Sequence, residues 1–89
     1  MKLYYFNPCD YGSEYFVMAS SKMNAIMHLL LYFRQQIKNG DFPTHAQYDY
    51  DQWNKVPLSD NDEEIDNNLP DKFRIDVYET GEVIESEIT

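Results

Sequence analysis

The stretch SSKMNAIMHLLLYFRQQIKNG, residues 20–40, constrains this chain more than any other. Ile26, Leu30, Phe33 and Ile37 recur at helical spacing and define an apolar stripe, flanked by Met23 and Leu29. Ser20 or Ser21 suits an N-cap, Lys38 suits the negative end of the helix dipole, and Gly40 suits a left-handed residue just past the end. A helix of this length must lay its stripe on something, and the segments around it alternate with period two. LYYF (3–6) and EYFVMA (14–19), separated by the turn-rich NPCDYGS, read as a β-hairpin. FRIDVYETGEVIESEIT (73–89) reads as a second hairpin about Thr80-Gly81.

In that second hairpin Glu79 faces Glu82, Val77 faces Ile84, Asp76 faces Glu85, Arg74 faces Glu87 and Phe73 faces Ile88. Phe73, Ile75, Val77, Ile84 and Ile88 then share the buried face; Arg74, Asp76, Glu85 and Glu87 share the other with Tyr78 and Val83. The expected architecture is α+β: a small, four-stranded antiparallel sheet of two hairpins, in ββαββ order, packed on one long helix. Eighty-nine residues fit a single domain, 1–89, and a chain of this size buries roughly 60–65% of its unfolded surface.

The connection, residues 41–72, carries short helical turns in this reading. Thr44 and Gln47 form a capping-box pattern before a short helix on which Ala46, Tyr50 and Trp53 share a face. A further turn follows Ser59, its acids favourable at the positive end of a helix. A mobile acidic loop is the alternative. Met27 and Leu31 widen the apolar arc of the long helix beyond one sheet contact. Either the acidic connection covers them, or they form a self-association or partner surface.

Charge is unevenly distributed. Residues 1–40 hold two acids against four bases, a balance of +2, whereas residues 41–89 hold fourteen acids against three bases, a balance of −11. Such a field repels nucleic acid and membrane phosphates and steers basic partners inward. Direct nucleic-acid or membrane binding is not expected. Cys9 is the single cysteine, so no internal disulfide forms and a reducing compartment follows. MKLYYFNPCDYG lacks the apolar core and cleavage site of a signal peptide. The longest apolar stretch, Ala25–Phe33, is interrupted by His28 and falls well short of the ~20 residues that span a bilayer. The expectation is a soluble, cytoplasmic protein.

Like charges directly opposite on a strand pair destabilise it by about 0.2–1 kcal/mol per pair, and this ribbon has two such pairs, Glu79–Glu82 and Asp76–Glu85. Protection of a sheet edge is one account, although lysine would serve equally and the ribbon has none after Lys72. Recognition is the other. Carboxylates at i and i+2 stand about 6.8 Å apart at a rise of ~3.4 Å per residue, comparable to phosphates along a nucleic-acid strand, so Glu85 and Glu87 can occupy phosphate sites on a basic protein.

YDYDQW (48–53) interleaves aromatic residues with acids, a pattern suited to arginine recognition and equally to an aromatic face packed on the core beneath solvated acids. DNDEEID (60–66) places Asp60, Asp62 and Glu64 at positions 1, 3 and 5 of a calcium loop, but Ile65 stands where the turn needs glycine and Asp71 where a bidentate Glu belongs. No metal site and no cofactor are expected. Cys9, His28 and His45 are the only obvious nucleophile and base candidates; no spacing joins them, and no catalytic motif or glycine-rich phosphate loop is present. A non-enzymatic protein is expected.

YFVMASSKMNAIMHLLLYF followed by FRIDVYETGEVIESEIT resembles the layout of small phage-encoded anti-defence proteins, the anti-CRISPR and anti-restriction inhibitors, several of which mimic DNA. The likeness lies in size, acidity and element order across the whole chain, and no functional residue carries over. It implies an inhibitor in the cytoplasm of an infected bacterial cell, acting stoichiometrically on a nucleic-acid-binding host defence effector. In that reading Asp76, Glu82, Glu85, Glu87 and Asp60, Asp62, Glu63, Glu64 supply charge, while Tyr50, Trp53 and Tyr78 supply anchoring area. The alternative is a general interaction module or homodimer using the apolar helix flank, its acids serving solubility alone.

Overall fold

The computed structural model describes residues 1–7, 14–40, 43–79 and 81. Their order is β1 (Lys2–Asn7), β2 (Tyr15–Ala19), α1 (Lys22–Asn39), α2 (Pro43–Trp53), α3 (Asp62–Asn67) and β3 (Arg74–Tyr78). The class is α+β, with a three-stranded antiparallel sheet and three helices among the described residues, rather than one long helix with short helical turns. The expected fourth strand, with Glu82, Glu85 and Glu87, lies outside the described residues.

The strand order is β2-β1-β3. β1 pairs Tyr4 with Val17 and Phe6 with Tyr15 on one side, and Tyr4 with Val77 and Phe6 with Ile75 on the other. Residues directly opposite share a face, so these six side chains form the helix-facing side of the sheet. Leu3, Tyr5, Phe16, Met18, Asp76 and Tyr78 belong to the other side. β3 therefore has the alternation that its sequence predicts, with Ile75 buried and Val77 packed against the core.

The ends of α1 follow from local chemistry. Ser21 is extended and its Oγ accepts from the Asn24 backbone N–H at 3.1 Å. Gly40 has φ +75° and donates its N–H to Gln36 and Ile37 carbonyls, a conformation that any Cβ would strain. Ala25, Ile26, Leu29, Leu30 and Phe33 are buried, whereas Ile37 at the far end is only half-buried.

α2 begins at Pro43, ahead of the Thr44 cap that the sequence suggests. A proline lacks the N–H that the first turn would leave unsatisfied in any case. α2 packs along α1 and delivers Trp53 to the core, where its ring meets Phe6 edge-on at 5.1 Å and Phe73 at 5.0 Å. α3, the turn expected after Ser59, is capped by Asn61. The Asn61 Oδ1 accepts from Glu63 N at 3.0 Å and Glu64 N at 3.4 Å, and the Ser59 Oγ accepts from Asn61 N. Its one fully buried side chain is Ile65. The residue that spoils a calcium loop is thus the plug holding the acidic segment to the core.

The acidic connection does not cover the outer flank of α1. Met27 and Leu31 remain exposed. α3 is fastened at the start of α1, by Ile65 and by the buried Lys22, whose Nζ donates to both Asp66 carboxylate oxygens at 2.8 and 3.0 Å.

Candidate protein-binding surfaces

The acids proposed for recognition separate into three groups. Asp60, Asp62, Glu63 and Glu64 are exposed around the first turn of α3. Among the described residues none of the four has a basic ion-pair partner; Glu64 accepts from the Ser59 hydroxyl at 3.0 Å. Three of them sit where the helix dipole favours negative charge. The field of Asp62 nonetheless reaches Lys2, whose ammonium is held above its ordinary value first by its hydrogen bond and charge contact with Glu79.

Asp76 forms the second group. Its carboxylate lies 3.3 Å from Arg74 Nε, on the same face two residues away, so much of its charge is already answered within the chain. Glu79 likewise meets Lys2 at 3.2 Å. The third group, Glu82, Glu85 and Glu87, lies outside the described residues.

The aromatic candidates also divide. Trp53 is only 1% exposed, so it is a core residue and no surface anchor. Helix periodicity places it on the inner face of α2, and its apolar bulk makes that the favoured place. Tyr50 is half-buried, and Arg34 already engages it: both Nε and Nη2 donate to its hydroxyl at 3.3 Å, with the guanidinium 5.7 Å from the ring centroid. Tyr78 is half-buried on the outer sheet face, opposite Leu3.

Asp49 departs from the expectation of solvated acids in YDYDQW. It is 2% exposed, and the Tyr15 hydroxyl donates to its Oδ2 at 2.6 Å. It serves the junction of α2 with β2 and is withdrawn from any recognition surface.

Two apolar surfaces were not singled out as sites from the sequence. The outer sheet face exposes Phe16 and Met18 on β2, with the Tyr5 ring tilted against Phe16 at 4.7 Å between centroids. Burial pushes the Tyr5 phenol up to about 12, and a hydrogen bond to the Glu14 carboxylate adds to the shift. A cleft of about 450 Å³ runs between β2 and α1, its walls including Glu14, Phe16 and Val17 on one side and His28, Leu29 and Tyr32 on the other. The signal for this site was a strand, YFVMA, that is apolar at both phases of its alternation. The outer α1 flank, which the sequence does single out, carries a smaller groove of about 200 Å³ between Met27, Leu31 and Arg34 and the residues Asn54 and Leu58.

Among the described residues no group of three His, Cys, Asp or Glu side chains is placed to hold a metal ion, and no helix is long and apolar enough to cross a membrane. Comparison with protein-family models, characterised proteins and solved structures finds no match to this chain.

Proposed function

We propose that this protein acts by binding rather than catalysis, as an acidic inhibitor that occupies a basic, nucleic-acid-binding surface of a partner protein. The observation that carries the reading is the exposed set Asp60, Asp62, Glu63 and Glu64, without a basic partner among the described residues, in a chain of net charge −9. Mutual repulsion in such a set is relieved when a basic surface docks on it. α3 holds the acids on a fixed scaffold through Ile65 and the Lys22–Asp66 ion pair, so less ordering entropy is lost on docking. A bacterial defence effector is the partner class that the layout of the chain suggests, and Glu82, Glu85 and Glu87 are further acids of the same sequence.

The test is capture from a nuclease-treated bacterial lysate, washed at rising salt, with the wild-type protein and with a D60N/D62N/E63Q/E64Q variant. Captured proteins should elute at lower salt from the variant and should be displaced by added DNA. Capture indifferent to both the substitutions and DNA refutes charge mimicry.

A second reading rests on the exposed Met27, Leu31 and Leu58 around the smaller groove, which suit self-association or an apolar partner helix. Sedimentation of the wild type against Leu31→Lys decides it: a concentration-dependent dimer lost in the variant favours this reading.

A further inference from the structure

We propose that the outer edge of β2 is a strand-addition site, at which an extended basic peptide of the partner pairs with Phe16–Met18 and lays alternate side chains into the cleft between β2 and α1. The inference rests on the reading above in one respect, the basic character of the partner.

The backbone carries the first part of the argument. β2 is the last strand on its side of the sheet and pairs with β1 alone among the described residues. Every second residue of an edge strand turns its N–H and C=O outward, a row of groups that another extended chain satisfies. Native edges are ordinarily blunted by lysine, proline or inward charge. Tyr15–Ala19 contains none of these, and Phe16 and Met18 are 57% and 55% exposed.

The cleft carries the second part. An added strand lies ~4.8 Å beyond β2 and sends every second side chain toward the helix layer. The cleft occupies that place, with the strand as one wall and His28, Leu29 and Tyr32 of α1 as the other. This is the geometry of peptide recognition by strand addition beside a helix, where main-chain hydrogen bonds give affinity and pockets for alternate residues give specificity.

Charge selects the occupant. Glu14 is exposed in the cleft wall, where its carboxylate accepts from Tyr5 and keeps further lone pairs for a cation, and the Tyr32 ring, half exposed, presents a face on which a guanidinium can stack. Apolar Val17 and Leu29 complete the lining. A peptide alternating apolar and basic residues satisfies both features. A second copy of this chain does not: its own β2 carries no cation, and its approach brings together two net charges of −9.

The probe is a short fluorescein-labelled synthetic peptide alternating Val and Arg, followed by anisotropy and by amide shifts in the ¹⁵N-labelled protein. Two controls accompany it, one N-methylated at alternate backbone amides and one with Glu in place of Arg. Binding should perturb residues 14–18 and 28–32, and N-methylation should weaken it about tenfold, the equivalent of roughly 1.4 kcal/mol. Glu14→Gln and Tyr32→Ala should weaken it as well, since both side chains are at the surface. In D60N/D62N/E63Q/E64Q the sensitivity to N-methylation should persist. Equal binding of the N-methylated peptide, shifts confined to α3, or no binding overturns the strand site. Loss of all binding in the α3 variant, with no sensitivity to N-methylation, leaves the acidic-surface reading standing and removes this one. A wild-type protein that dimerises through β2, with the same amides perturbed on dilution, overturns the choice of occupant.

Discussion

The Tyr15 hydroxyl donates to the Asp49 carboxylate at 2.6 Å, joining β2 to α2 across thirty-four positions of sequence. A hydrogen bond to a charged group is worth about 1.5–3 kcal/mol, and a buried carboxylate that loses one donor loses part of what offsets its desolvation. Tyr15→Phe should therefore destabilise the protein by about 1.5–3 kcal/mol in urea melts. Adding Asp49→Asn to that variant should restore part of the loss, because a neutral amide costs less to bury than a carboxylate with one donor fewer. If Tyr15→Phe melts like wild type, this bond does not help hold α2 to the sheet.

Lys22 and Asp66 form an asymmetric pair, with the Lys22 side chain 6% exposed and that of Asp66 48% exposed. Removing either partner leaves a different residue behind. Asp66→Ala strands a buried ammonium and should cost about 1–3 kcal/mol, whereas Lys22→Met leaves a carboxylate that water can solvate and should cost less than about 1 kcal/mol. Denaturant melts of the two variants check the order. The reverse order would mean that the Lys22 ammonium is stabilised by something other than Asp66, and that this pair does not fasten α3.

Trp53→Ala should destabilise by about 3–5 kcal/mol, the usual range for emptying a large aromatic site in a core. Trp53→Phe should recover most of this while keeping the contacts with Phe6 and Phe73. Partner capture by the folded Phe variant should equal that of wild type. A stable alanine variant would mean that the ring contributes little to the core.

Tyr5 predicts an alkaline limit. Its folded-state value lies near 12 against an ordinary 10.0, so the folded chain holds the phenolic proton more tightly than the unfolded chain does. That stabilisation is fully present below pH 10 and is lost as pH rises from 10 toward 12. Thermal melts should show stability falling across that window, and Tyr5→Phe should flatten its share of the fall. Absorbance at the tyrosinate band should lose one late-titrating group in the variant, while the Tyr4 phenol, also raised by burial, remains.

Much of the fold was legible where a single period dominates. The stripe Ile26, Leu30, Phe33, the Ser21 cap and the Gly40 terminus lie where their local chemistry puts them, as does the alternation of β3. Residues 43–67 were less legible because burial there is decided by partners distant in sequence. Nothing local to Asp49 announces that Tyr15 will reach it, and nothing local to Lys22 announces Asp66. Ile65 illustrates the difficulty best. Among so many acids it reads as an interruption of a polar loop, yet it is the residue that docks the loop. The acidic surface was legible in composition, but which acids are answered internally is a matter of geometry: Asp76 by Arg74, Glu79 by Lys2, Asp66 by Lys22. The cleft beside β2 was missed because an apolar strand reads as interior until the strand order places it at an edge.

That strand order also governs how the chain assembles. β1 comes first of the three strands in sequence yet lies between the other two. On one side it needs only the adjacent hairpin; on the other it needs β3, with Leu3 meeting Tyr78 beyond all three helices. The hairpin and α1 are local and form early, whereas the β1–β3 ladder closes one very long loop whose entropy must be met before any of its contacts are gained. Until residues 74–78 arrive, the central strand is itself an open edge, with Tyr4 and Phe6 waiting for the neighbours that bury them. Folding of this protein is thus timed by its last described strand, and a chain cut short before β3 carries an aggregation-prone edge in the middle of its own sheet.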